Sequence, residues 1–318
     1  MEQRIPAFIL AAGLGTRLRP LTDFLPKPLV PVMHRPLVTY AMDALILAGV
    51  EAISLNTHHL PEAFTDSFGT DPSYRDHSLR FFHETILLDT GGGIRNARAA
   101  LEHSTFFLYN GDIFSDVPLA DSLHEHRSSG ALATLLLRSP AGVGTANVRF
   151  DMQSGRVLDL RGVLGAHGGG ECVYSGVAIF EPEIFDWIPP IGPSSIIDAL
   201  LEAMRRGKTV RGILSSTGNW SDIGTISAYL EAHRRFLQFE SRTAHQMPPP
   251  IHPEAHLESG VTLEGVAVVG PRSLVGARSH LEETIVWPDS VILPGSRLRG
   301  CVVTGRAPVQ GEHTGAIL

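Results

Sequence analysis

Lysine is almost missing from this chain: Lys27 and Lys208 are the only two among 26 basic residues in 318 positions. Cysteine is as scarce. Cys172 and Cys301 lie far apart in unlike surroundings, so they read as buried small hydrophobes rather than a disulfide, which suits a reducing cytoplasm. No run of 18 or more apolar residues occurs, so no helical membrane span and no membrane partner are expected. A basic-then-apolar leader is lacking too, and the expected location is cytoplasmic. Excess positive charge is absent: the net charge of −7 argues against nucleic acid as the main partner. His58, His59 and the other histidines have no metal-ligand spacing with an acidic helper, and no Ser-His-Asp or Cys-His set is found. What remains is a chain with 43% hydrophobic residues, long enough for a large core and two domains.

The most informative stretch is residues 10–28, LAAGLGTRLRPLTDFLPKP. It follows an apolar run, residues 5–11, that reads as a buried strand. Gly13 and Gly15 permit a tight turn and a close ligand approach. Arg17 and Lys27 add cations, and Pro20, Pro26 and Pro28 stiffen the segment. Within residues 16–35 four cations (Arg17, Arg19, Lys27, Arg35) face one anion, Asp23, a local basic spot on an acidic body that can draw in a small polyanion. Glycine amides with fixed cations form an anion cradle. It is not a Walker A loop, since no Gly-Lys-Ser/Thr is present, and Leu18 stands where a dinucleotide fingerprint needs its third glycine. The pattern A-G-x-G-x-R-L-x-P-x-T with Lys-Pro ten residues after the arginine resembles the signature of the sugar-1-phosphate nucleotidyltransferases.

Helices are expected over residues 36–49, 62–68 and 91–102, alternating with strands at 52–55, 79–83 and 105–109. This implies an α/β domain with a Rossmann-like mixed, mostly parallel sheet and ligands at the strands' carboxyl ends. Strand-rich segments at 131–137, 146–150, 156–160 and 172–180, interrupted by a glycine-rich loop at 165–170, suggest an added antiparallel portion. Helices at 194–206 and 225–239 would complete a catalytic domain over residues 1–245. Residues 247–253, MPPPIHP, form a stiff linker into a second domain, residues 246–318. There Leu257, Leu263, Val269, Val275, Leu281, Trp287 and Leu293 recur at intervals of six. That period fits neither helix nor hairpin and matches a parallel β-helix of hexapeptides. The family resemblance implies a short left-handed β-helix with three hexads per coil, hence fewer than three coils. This tail covers the catalytic domain or makes a homo-oligomer; it is too short for a hexapeptide acyltransferase.

Two aspartates stand in polar turns, Asp112 in YNGD at residues 109–112 and Asp222 in WSDIGT at residues 220–225. A hard divalent cation takes one or two carboxylates plus substrate phosphates. The resemblance implies that Asp112 and Asp222 hold Mg²⁺, whereas local pattern alone would make Asp222 a helix cap. It further implies a nucleoside triphosphate on Leu10, Ala11, Ala12, Gly13, Gly15 and Thr16, with Asn110 at the next strand end and Arg17 and Lys27 on the phosphates. The glycines after Asp89, notably Gly91 and Gly92, would lie against the nucleobase or else open a helix. Glu84 would read the base edge, a contact that suits uracil and guanine alike. Ser175, Gly176 and Trp220 would meet the sugar. The family's Glu-Lys-Pro element is absent between residues 139 and 175, and Arg161 is the candidate substitute.

The expected reaction is transfer of a nucleotidyl group to a sugar 1-phosphate with release of pyrophosphate, making precursors of cell-wall or other polysaccharides. The wording of the motifs leans to uridylyl transfer onto an amino sugar. Guanylyl transfer to a mannose- or heptose-type phosphate is the alternative, and a non-catalytic regulatory subunit with this architecture is the third reading.

Overall fold

A computed structural model describes residues 5–69, 74, 77–115, 117, 119–140, 146–215, 219–238 and 248–318. Phe239, Met247 and the expected domain boundary at 245/246 lie outside them. The chain divides into two compact units: Met1–Leu14 with Tyr40–Ser221, and Gly15–Thr39 with Asp222–Leu318.

The first unit is built on one nine-stranded sheet. Its strand order is Ser78–His83, Val50–Thr57, Ile5–Leu10, Phe106–Asn110, Gly170–Phe180, Ala133–Arg138, Val210–Leu214, Arg156–Leu160 and Val148–Asp151. The central strands are continuous apolar runs because both of their faces are covered. Ala7, Phe8, Ile9, Phe106 and Phe107 are fully buried. The expectation of a mostly parallel sheet is corrected here. The four strands nearest the start of the order pair in parallel, as do Ala133–Arg138 and Val210–Leu214, but the other pairings are antiparallel. The strand-rich middle of the chain extends the same sheet instead of forming a separate portion, since Val177–Phe180 hydrogen-bonds the strand that ends in Asn110.

Helix Val38–Leu47 buries Tyr40, Ala41, Met42 and Leu45 and is followed by Gly49 at φ 85°, the left-handed stop expected there. The single helix expected over 91–102 is two, Asp89–Asn96 and Arg98–Leu101, interrupted at Ala97. Helix Leu119–Ser129 and strand Val210–Leu214 were not anticipated. The helix carries only a thin apolar stripe, Leu119 and Leu123, completed by buried Ser122 and His126.

In the second unit, residues 251–318 form a solenoid of three parallel sheets. Ile251 pairs with Val269, Val269 with Val286, Val286 with Val303, and Val302 with Ile317. These four steps exceed the expected fewer than three coils. The inward ladder is Val269, Val275, Leu281, Val286, Ile292, Leu298, Val303 and Val309. After Leu281 the spacing drops from six to five, so Trp287 and Leu293 keep the hexad count but not the ladder. A second ladder of buried hydroxyls, Ser273, Ser279, Thr284, Ser290 and Ser296, lines the corners. These donate to carbonyls of their own or the next coil: Ser273 Oγ to Trp287 O at 2.8 Å, Thr284 Oγ1 to Leu298 O at 3.3 Å. The hydroxyls thus satisfy backbone acceptors that a purely aliphatic interior would leave stranded. Cys172 and Cys301 are both buried and unpaired with each other.

Candidate functional site

In the first unit the site elements gather at the carboxyl ends of two neighbouring parallel strands. Leu10 is in register with Asn110, and the Gly111 N–H donates to the Leu10 carbonyl at 2.9 Å. Beyond that point Ala11 and Ala12 are buried, Gly13 and Leu14 are exposed, and Asp112 is half-buried. The Ala11 N–H does not face outward. It donates to Asn56 Oδ1 at 2.6 Å, Asn56 Nδ2 donates to Glu84 Oε1 at 2.8 Å, and Glu84 Oε2 accepts from the Leu88 N–H at 2.9 Å. Glu84, expected to meet a base edge, is 2% exposed and spends both carboxylate oxygens on this brace. Buried carboxylates persist when paired in this way. Asn56 was missed in the sequence; a lone Asn closing an apolar strand, in SLNT at residues 54–57, was its only signal.

Gly91 and Gly92 open the helix Asp89–Asn96 as expected of a glycine-led terminus. Both amides donate to the Ser194 carbonyl, at 2.7 and 3.1 Å, and the Ile196 N–H donates to Thr90 Oγ1 at 2.9 Å. The partner of this bare backbone is therefore the segment entering helix Ile196–Arg205.

Ser175 and Gly176 sit where the register of Gly170–Phe180 against Ala133–Arg138 shifts, between Tyr174 and Ala178. Gly176 has φ 85°, and a Cβ there would lie 2.2 Å from Ile113 Cδ1 and 2.9 Å from Asn110 Nδ2. Only glycine lets this bulge pass so close to Asn110. The Ser175 carbonyl accepts from Trp220 Nε1 at 2.8 Å, which brings Ser175, Gly176, Asn110 and Trp220 together. Among the described residues Ser175 Oγ is buried with no hydrogen-bond partner, and so is the Tyr174 hydroxyl, whose pKa burial pushes well above the usual phenol value. Orphaned buried hydroxyls near a strand end mark a place where a polar ligand can bond. Arg161, at φ 56°, lines a different feature, a cleft of about 420 Å³ with Asn147, Arg149, Asp159, Gly162 and Glu171. Its nearest tie to Ser175 is indirect, through Asn147 Oδ1, which accepts from the Tyr174 N–H at 2.9 Å.

In the second unit the signature loop folds as three short 3₁₀ turns, Thr16–Leu18, Leu21–Asp23 and Lys27–Leu29. Gly15, at φ 62°, starts the first; its carbonyl accepts from Thr22 Oγ1 at 2.9 Å. Thr16 and Arg17 are exposed, whereas Lys27 is 7% exposed. Lys27 Nζ stands 3.5 Å from Asp222 Oδ1. A Cβ on Gly224 would lie 3.0 Å from Arg17 Nη2 and 3.1 Å from Asp222 Oδ1, so Arg17, Lys27 and Asp222 share one small neighbourhood. Asp222 does not cap the following helix. Thr225 does, with Oγ1 accepting from the Ala228 N–H at 3.2 Å. Asp222 Oδ1 is shielded from solvent yet accepts no hydrogen bond among the described residues. A shielded carboxylate oxygen with an ammonium nearby and a lone pair to spare fits a hard cation, which prefers oxygen donors.

The family description "Nucleotidyl transferase" matches residues 6–238. The UTP–glucose-1-phosphate uridylyltransferase of Synechocystis sp. is 24% identical, over 98% of this chain and 90% of its own. The mannose-1-phosphate guanylyltransferase of Mycobacterium tuberculosis is 29% identical, over 94% of this chain and 83% of its own. Among solved structures, a UDP-glucose pyrophosphorylase from Acinetobacter baumanii superposes with a TM-score of 0.63 at 19% identity, covering 76% of this chain and 96% of that one. HddC from Yersinia pseudotuberculosis, crystallised with GMP-PN, gives 0.59 at 23% identity, with 73% and 99% covered. The two structures speak for the fold alone. With the family match running through the signature loop, Asp112 and Asp222, the chain belongs to the nucleotidyl transferase family.

Proposed function

We propose that this chain transfers a nucleotidyl group from a nucleoside triphosphate to a sugar 1-phosphate and releases pyrophosphate. The observation that carries this reading is the grouping of Arg17, Lys27 and Asp222, two cations and a carboxylate whose shielded oxygen pairs with the Lys27 ammonium but accepts no hydrogen bond among the described residues. One oxygen of the sugar phosphate attacks the α-phosphorus in line as the bond to pyrophosphate breaks. A phosphate monoester has its second pKa near ~6, so this nucleophile is already ionised at neutral pH and needs no base. The task left to the protein is to bring two polyanions together and to hold the charge that builds on the leaving pyrophosphate.

In this scheme Arg17 and the backbone around Gly13, Gly15 and Thr16 hold the β- and γ-phosphates, and Lys27 neutralises the reacting centre. Asp112 and Asp222 are the residues that would hold Mg²⁺, which would screen the phosphates from one another. Asn56 and Glu84 shape the nucleotide's seat from behind by holding the Ala11 amide. Ser175 Oγ, with Gly176 and Trp220 beside it, would bond a sugar hydroxyl, and Arg161 would take the place of the missing Glu-Lys-Pro lysine. The solenoid, with its three sheets per coil, is read as left-handed, the hand that the family resemblance implies.

Two nucleotides compete. The motif wording leans to uridylyl transfer, and the Synechocystis relative carries that activity in its name; guanylyl transfer is favoured by the M. tuberculosis relative, more similar at 29%. Pyrophosphate release measured over UTP, GTP, dTTP, ATP and CTP, each with glucose, mannose and amino-sugar 1-phosphates, decides. One favoured pair is expected; silence across the whole panel would reject the transferase reading.

A further inference from the structure

The loop that presents Lys27 is tied down by a residue of the solenoid. Trp287 follows the inward-facing Val286 and so lies on the opposite face of its coil. It is only 6% exposed. Its indole N–H donates to the Tyr229 hydroxyl at 2.8 Å, and that hydroxyl donates to the Pro31 carbonyl at 2.6 Å. Tyr229 is fully buried, so its one oxygen serves as acceptor and donor in a dry relay. The Trp287 ring also meets Phe24 edge-on, with centroids 6.0 Å apart and planes at 65°. The Arg306 guanidinium lies 4.6 Å from the Phe24 ring centre. Phe24 stands three residues before Lys27 and Pro31 four after it, and the turn between them contains Pro26 and Pro28. A stiff turn fixed at both flanks holds its central residue in place. Nothing in the transfer chemistry itself calls for this arrangement.

We propose that Trp287 is a positioning residue for nucleotide transfer: from the solenoid, through Tyr229 and Phe24, it sets the loop that offers Lys27 to the triphosphate. The proposal rests on the transferase reading and makes the solenoid part of the nucleotide-binding apparatus. Four variants of the full chain test it. Trp287→Leu removes the N–H and the aromatic edge, Tyr229→Phe removes the relay alone, and Trp287→Phe restores an aromatic ring. Ile292→Val thins the solenoid core without touching Trp287.

In Trp287→Leu and Tyr229→Phe, KM for the nucleotide should rise roughly three- to tenfold, the range for one lost buried hydrogen bond, with KM for the sugar phosphate unchanged. Trp287→Phe should recover part of the loss, and Ile292→Val should show none. Amide exchange over residues 24–30 should quicken in the two damaging variants. Wild-type exchange and nucleotide KM in both of them would overturn the proposal, as would a rise of both KM values matched by Ile292→Val. If the wild-type chain transfers no nucleotide at all, the transferase reading fails separately, and the exchange measurement still judges the brace.

Discussion

The nine-stranded sheet, part parallel and part antiparallel, and the all-parallel solenoid both contain parallel β pairs, but these are closed over very different distances along the chain. In the sheet, Ala7 pairs with Phe107 and Val210 with Ala133. In the solenoid, Val269 pairs with Val286 and Val286 with Val303. Each solenoid coil therefore finds its partner in the next coil, whereas the sheet must close long stretches of chain before its pairing is rewarded. The two also satisfy their interiors differently. The sheet buries continuous aliphatic and aromatic runs, while the solenoid alternates an aliphatic ladder with a hydroxyl ladder that caps its own carbonyls. The signature loop from Gly15 onward and the helix Ile226–Gln238 group with the solenoid, whereas residues 10–14 group with the sheet. The end of the motif and the residues just after it are thus also structural: Phe24 meets Trp287, the Pro31 carbonyl accepts from Tyr229 and the Met33 N–H donates to His233.

The contrast can be tested most severely at the sheet. Phe107→Ala deletes a fully buried ring from a central strand and should cost about 3–5 kcal/mol. Urea titration read by amide exchange should show it in strand Phe106–Asn110 first; a loss below 1 kcal/mol would contradict the packing assigned to that strand. Asp222→Ala comes next, with an expected loss of about 10²–10³ in turnover, as for removal of one preorganised stabilising group. Near-normal pyrophosphate release by a folded Asp222→Ala protein would take that carboxylate out of the reaction.

A pH effect should single out the second unit. The Met33 N–H donates to His233 Nε2 at 3.3 Å, and burial holds the His233 pKa down to about 4, far under its ordinary value. Burial lowers His34 in the same direction. From the unfolded-state value of about 6.5 down to about 4, the unfolded chain binds a proton that the folded chain refuses. Stability should therefore be complete above that window and fall as the pH drops through it, by about 3 kcal/mol for His233. Melting curves between pH 7.5 and 4.5 should show this slope in the wild type and a flatter one in His233→Gln. The smallest expected change is at Thr225. Thr225→Ala removes the helix cap and should cost about 1 kcal/mol with turnover nearly intact, whereas a loss of activity equal to that of Asp222→Ala would mean that the two residues act as one.

Much of the molecule was legible in residue order. The alternation of strands and helices, the glycine stop at Gly49 and the six-residue period all follow from local rules of backbone geometry. Trp287 shows where that reading ends. An aromatic residue at the right interval preserves the count, yet the ladder had already slipped by one at Val286, and only the stacked coils reveal which side chain points inward. Asp222 is a second instance: capping and ligand binding use the same carboxylate chemistry, and it was the neighbouring Thr225 hydroxyl that took the cap. Glu84 is a third, since a carboxylate placed to read a base is equally able to brace Asn56 and Leu88, and burial chose the brace.

Residue order settled the chemistry on offer at residues 10–28 and at the two aspartates, because turn conformation, charge and donor type are properties of each residue and its near neighbours. Tertiary structure alone decided which groups meet: Lys27 with Asp222, Ser175 with Trp220, and Trp287 with the loop it holds. Those meetings depend on burial and on contacts between residues distant in the chain, which no local spacing encodes.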